Sequence, residues 1–154
     1  MIIDKNGILN LESIGMKIGP GFSLDEFKNN PYFTDFEYGG GNDNYARYAV
    51  RQILIDNLPF SIYLIFYKNK ISQFTISYNE LTRDSGYEPA KRRIELVDLT
   101  KKKHDEWVIK EHRAIRRKYP WGFISSNIGD HTYFANILTM YNSPENEYLY
   151  KNFK

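Results

Sequence analysis

The side chains nearest to catalytic chemistry lie together late in the chain, where Ser125, Ser126, Asp130 and His131 supply hydroxyls, a carboxylate and an imidazole. Such a set could activate a serine for acyl transfer, the imidazole taking the hydroxyl proton while the carboxylate orients the ring. Triads assemble in space, and this spacing describes the ends of two strands and the turn between them at least as well. Glu111 is the second candidate. It falls four residues after Trp107, on the expected inner face of a helix, where a buried carboxyl needs a donor or a raised pKa. A structural hydrogen bond or ion pair, with Arg113 for example, fits it better than proton transfer.

Other chemistries fall away on residue type. The chain has no cysteine, which removes disulfide scaffolds, thiol nucleophiles and thiolate-held metals and favours an intracellular, non-redox protein. Its three histidines are His104, His112 and His131. On one helix His104 and His112 would stand about 12 Å apart along the axis, too far to share a zinc ion. Gly39-Gly40-Gly41 lacks the lysine and hydroxyl that complete a phosphate loop, and Gly19-Pro20-Gly21 opens no nucleotide fingerprint. Neither a metal nor a cofactor is expected.

The 154 residues predict one domain, with 142–154 as a docked or frayed tail. The opening reads as an edge hairpin, Met1–Ile3 against Gly7–Leu11 around an Asn-Gly turn. Ser23 and Glu26 have capping-box spacing and predict a short helix through about Asn29, ended by Pro31. Gly39 to Asn44 reads as loop. Arg47–Asp56, Phe60–Tyr67 and Ile71–Tyr78 then form an antiparallel meander. Alternation puts Ser72, Phe74, Ile76 and Tyr78 on the core side. In the strand before it both faces are largely apolar, which predicts cover on both.

Residues 81–103 suggest a short strand or extended edge anchored by Ile94, Leu96 and Leu99. The principal helix is placed at His104–Tyr119, with Trp107, Val108, Ala114 and Ile115 inward and Pro120 stopping it. Phe123–Asn127 and His131–Tyr141 complete a mainly antiparallel sheet of five or six strands, an α+β fold.

Charge is polarised along the chain. Residues 1–44 carry 3 basic and 7 acidic side chains, whereas 91–154 carry 13 and 8. The basic clusters Lys91–Arg93, Lys101–Lys103 and Lys110–Lys118 lie apart from most aromatic stretches, while a base-stacking groove needs both on one surface. Nucleic acid is therefore a weaker partner than protein. The longest apolar stretch, Leu58 to Tyr67, is too short to span a bilayer and no signal peptide is expected. Among acidic residues 32–45, Tyr32, Phe33, Phe36, Tyr38 and Tyr45 interleave with Asp35, Glu37 and Asp43. Aromatic area beside charge suits a protein interface, so this segment is the predicted contact.

The order Trp107, Glu111, basic helix, Tyr119-Pro120-Trp121-Gly122, Ser125/Ser126, Asp130 and an aromatic-ended strand resembles small immunity proteins of bacterial polymorphic toxin and contact-dependent growth inhibition systems. The likeness covers roughly residues 104–141, more weakly the meander and Ile18-Gly19-Pro20. It implies a noncatalytic cytoplasmic antidote that binds a cognate toxin domain. It also implies fold-forming roles: Trp107 packing helix on sheet, Trp121 and Gly122 making a close turn, Asp130 holding the last one. A nucleic-acid-binding module, a general protein-interaction domain and an unrecognised hydrolase remain the alternatives.

Overall fold

The structure is a computed structural model that describes residues 2–79, 90–129 and 134–153. A small hairpin of β1 (Leu9–Leu11) and β2 (Met16–Ile18) precedes the short helix α1 (Leu24–Lys28) and the strands β3 (Glu37–Gly41), β4 (Tyr45–Ile55), β5 (Leu58–Tyr67) and β6 (Lys70–Tyr78). The principal helix α2 (Ala90–His112) then leads to β7 (Arg116–Tyr119), β8 (Gly122–Ile128), β9 (Ala135–Tyr141) and a last short helix, α3 (Glu147–Lys151).

The main sheet runs β3-β4-β5-β6-β9-β8-β7, each neighbouring pair antiparallel. This is the expected α+β class with seven strands instead of five or six. The extra strands are the two edges. β3 uses the glycines read as loop, and β7 uses residues assigned to the helix. The opening hairpin is also rearranged: β1 pairs with β2, and Ile3 meets Leu9 only as a single bridge. The Asp4–Gly7 turn itself forms, with the Gly7 amide donating to the Asp4 carbonyl at 3.0 Å.

Two tight turns set the meander register. Asp56-Asn57 and Lys68-Asn69 all have positive φ, the twist that matches adjoining antiparallel strands. One face of β5 and β6 then carries Phe60, Ile62, Leu64, Phe66, Phe74, Ile76 and Tyr78, all buried. The N-terminal hairpin packs into this core through Leu9, Leu11 and Ile18, all fully buried, and two helices add further cover. At the β4–β5 end lies α1, whose Phe27 ring stacks on Phe66 at 5.5 Å and meets Tyr48 edge-on at 5.2 Å. Ser23 caps that helix by accepting from the Glu26 amide at 3.0 Å.

The second cover is α2, and here the sequence reading needs correction. The helix occupies 90–112, so Ile94, Leu96 and Leu99 are helical, while Ala114 and Ile115 lie beyond its end. It stops at Arg113, which takes a left-handed conformation with φ 67° and no proline nearby. Its buried positions are Leu96, Thr100, His104, Val108 and His112, each four residues after the last. Trp107 packs beside them, 5.5 Å from Phe60 and 5.3 Å from Tyr78 between ring centres.

Pro120 sits in the β7–β8 turn instead. There Trp121 stacks on Tyr119 at 5.1 Å and donates through Nε1 to the Lys5 carbonyl at 2.8 Å. Gly122 has φ 150°, and a Cβ there would lie 2.0 Å from the Met140 carbonyl oxygen, so no larger residue fits this approach. The C-terminal segment lies on the opposite face of the sheet: Phe153 stacks on Phe123 at 4.3 Å, and the Tyr150 hydroxyl donates to the Tyr119 carbonyl at 2.8 Å.

Candidate functional site

The segment 32–45 wraps the first edge of the sheet and divides its side chains between two jobs. Asn30 starts it, its side-chain oxygen accepting from the Tyr32 amide at 2.8 Å and capping a single 3-10 turn over Pro31–Asp35. Phe33 and Phe36 point inward, where their ring centres stand 5.1 and 4.9 Å from Phe27. Phe36 is buried, so it shapes the edge from beneath. Tyr32, Asp35, Glu37, Tyr38 and Asp43 are exposed, Tyr38 by 63%.

Among the described residues β3 pairs only with β4, which makes it an edge of the sheet. Edge strands of this kind are templates for pairing or are kept apart by charge. Here Glu37 begins the strand and Asp43 follows it. The turn into β4 is held by the Asn42 side chain, which accepts from the Asn44 and Tyr45 amides at 2.9 and 3.0 Å. Tyr38 leans on Tyr48 at 5.4 Å, and Tyr45 on Tyr67 at 4.8 Å with the Arg47 guanidinium 5.6 Å from its ring. The exposed tyrosines are thus supported from one side, which lowers the entropy lost on contact.

Of the catalytic candidates that are described, Ser125 and Glu111 lie on opposite faces of the sheet. Ser125 pairs across β8–β9 with Leu138 on the face away from α2, and its hydroxyl donates to Asn127 Oδ1 at 2.7 Å. Glu111 lies half-buried on α2, on the other side of the sheet. Ser126 is buried with no partner for its hydroxyl. Asp130 and His131 lie outside the described residues. Among the described residues no cluster of three or more histidine, aspartate or glutamate side chains could hold a metal ion, and no helix is long and apolar enough to cross a membrane.

Among the described residues the buried polar side chains of the principal helix are Thr100 and two histidines, whose spacing the sequence reading weighs for metal binding alone. His104 Nε2 accepts the Tyr78 amide at 3.0 Å, which assigns its proton to Nδ1, an atom with no partner. Burial pushes its pKa down to about 4. His112 bridges the Tyr119 hydroxyl at 2.7 Å and the Ile3 carbonyl at 2.9 Å, and burial lowers its pKa too. Both rings fasten the helix to distant strands. The signal for them was their spacing: His104 and His112 continue the four-residue step begun at Leu96.

Many of the basic side chains that suggested a polyanion surface are engaged within the fold. Lys101 pairs with Asp105, and Lys103 lies 5.7 Å from the Tyr78 ring. Arg116 covers Phe153 at 4.8 Å, Lys118 covers Tyr150 at 4.2 Å, and Arg117 donates to the His112 carbonyl at 2.8 Å.

No protein-family model matches the sequence, and no curated protein matches it significantly. A solved structure does share the fold. It is described as Rhs1-CT in complex with cognate immunity protein RhsI1, and a chain of it superposes with a TM-score of 0.56 over 96% of this chain and 93% of its own, at 13% identity. The likeness therefore extends across the whole α+β architecture, from the first hairpin to the C-terminal helix.

Proposed function

We propose that this protein is an immunity protein that binds and neutralises a cognate toxin domain in the bacterial cytoplasm without catalysis. The observation that carries the reading is the end-to-end likeness of its fold to a chain of a toxin–immunity complex. Its sequence resemblance to immunity proteins of contact-dependent inhibition supports it. The contact is assigned to the first sheet edge, where Tyr32, Asp35, Glu37, Tyr38, Asp43 and Tyr45 present acidic and aromatic groups to a partner's basic surface. Phe33 and Phe36 hold that edge in place.

The test is growth rescue and complex formation with the toxin domain encoded beside this chain. Rescue with a stable complex is the expected outcome. Absence of both, or growth arrest caused by this chain alone, overturns the reading. Reversing charge in the Glu37→Lys/Asp43→Lys double variant should lower affinity by roughly 10-fold or more while leaving the melting temperature within a few degrees. Unchanged affinity would place the contact elsewhere.

A further inference from the structure

The opposite face of the meander holds a cleft that the acidic edge does not account for. It has a volume of about 490 Å³ and lies over β5 and β6, between β4 and the start of β9. Its floor is Ser61, Tyr63, Thr75 and Ser77, its β4 wall is Arg51, and Phe134, 61% exposed, stands on the far side. Two features of the fold make it. A bulge in β4 between Val50 and Ile53 bends that strand relative to β5. Among the described residues the C-terminal segment builds up the β7–β9 side of the same face and reaches β6 at Ser72, where the Asn146 amide donates to the Ser72 carbonyl at 3.1 Å, which leaves the Ser61 and Ser77 end of the meander as a step down.

The cleft's chemistry is one-sided. Among the described residues its lining contains one charged side chain, Arg51, which is exposed and has no ion pair. Arg47 lies four residues before Arg51 on the same strand, beyond Ala49 and opposite Ile65, with the Tyr45 ring 5.6 Å from its guanidinium. Hydroxyls of Ser61, Tyr63 and Thr75 add donors to this strip. Glu37, opposite Ala49, is the point where it meets the acidic edge. An isologous pairing of two copies with its axis through the cleft would set Arg51 against Arg51, an unfavourable use of two guanidinium groups.

We propose that this cleft is a second docking site for the partner, taking an acidic segment whose carboxylates reach Arg51 and Arg47 while its backbone or small side chains lie on the hydroxyl floor. Volumes of this order accept a loop tip or a few side chains, and guanidinium groups favour carboxylates through paired N–H donors. The site rests on the proposed immunity role. It adds to that role a partner of mixed charge, basic where it meets the Asp35/Glu37/Asp43 edge and acidic where it enters the cleft.

The test measures binding of the adjacent-encoded toxin domain to full-length wild type, Arg51→Glu, Ser61→Trp and, as a control on the exposed outer side of α2, Ile109→Glu. Folding of each is checked by circular dichroism and melting. Arg51→Glu and Ser61→Trp are each expected to weaken binding at least tenfold, with Ile109→Glu unchanged. If wild type binds but folded Arg51→Glu binds equally well, the cleft is not the site, and this variant decides even where Ser61→Trp fails to fold. If wild type neither binds nor rescues, the immunity reading itself has failed. A concentration-dependent dimer of this chain alone that Arg51→Glu disrupts would assign the cleft to a second copy and overturn the proposal.

Discussion

Strand β5 shows two surfaces of the same ten residues meeting different fates. Phe60, Ile62, Leu64 and Phe66 are buried beneath α1 and α2, whereas Ser61, Tyr63, Ile65 and Tyr67, one step out of phase, are only half-covered. Composition along the strand suggested cover on both sides. What distinguishes the faces is the supply of covering elements: among the described residues two helices and the N-terminal hairpin reach one side, while the C-terminal segment covers the β7–β9 side of the other and touches β6 at Ser72. An apolar or aromatic side chain therefore marks a surface that tolerates burial, and the architecture decides whether the burial is internal or left to a partner.

The sharpest way to break this contrast is to delete one ring from each face. Phe74→Ala, at a fully buried position, should cost about 3–5 kcal/mol in urea unfolding. Tyr63→Ala, on the open face, should cost well under half of that. Equal losses would mean that the open face is packed in solution. A second test uses the histidine fastening the α2 cover. His104 is held neutral in the fold with a pKa of about 4, against 6.5 when unfolded, so the unfolded chain binds the proton more readily. Stability should be unaffected above pH 7 and fall as pH drops from about 6.5 to 4, by up to about 3 kcal/mol. His112 acts in the same direction. His104→Gln keeps an acceptor for the Tyr78 amide and should flatten this slope; an unaltered slope would remove His104 as its origin.

The smallest expected effect concerns the other cover. Ser23→Ala removes the α1 cap and should cost about 1 kcal/mol, with Phe27 remaining in the core. A loss several times larger would show that α1 organises the β4–β5 end as well as covering it.

Legibility followed the range of the interactions. The inward positions Phe74, Ile76 and Tyr78 of β6 were readable because alternation is set by the pleat of a single strand, whereas a register shift before them brings Ile71 into the core in place of the expected Ser72; the Ser23 cap was readable because its hydroxyl needs only a neighbouring amide. The principal helix was misplaced for the opposite reason. Among its described residues the buried positions include Thr100, His104 and His112, polar types whose burial depends on the Leu96 carbonyl, the Tyr78 amide, the Ile3 carbonyl and the Tyr119 hydroxyl. Without those partners the face does not look apolar, and Pro120 offers a false stop. Gly39-Gly40-Gly41 hid an edge strand in the same way, since glycines carry no alternation and β3 takes its register from β4.

Of the candidate site, the sequence singled out the 32–45 segment through its mixture of rings and carboxylates. It could not separate Phe36, which faces Phe27, from Tyr38, which faces outward, because both outcomes suit an aromatic ring. Nor could it anticipate the cleft, whose floor and walls come from β4, β5, β6 and the start of β9.

By itself, then, the amino-acid order determined the α+β class, the antiparallel meander, the alternation from Phe74 to Tyr78 and the first helix cap, all of which arise between residues close in the chain. Tertiary structure alone decided which strands became edges, that β6 joins β9, which polar side chains could be buried and which half of the open face stayed uncovered. Those outcomes depend on donors, acceptors and apolar area supplied by segments far away in sequence, and no local pattern encodes their arrival.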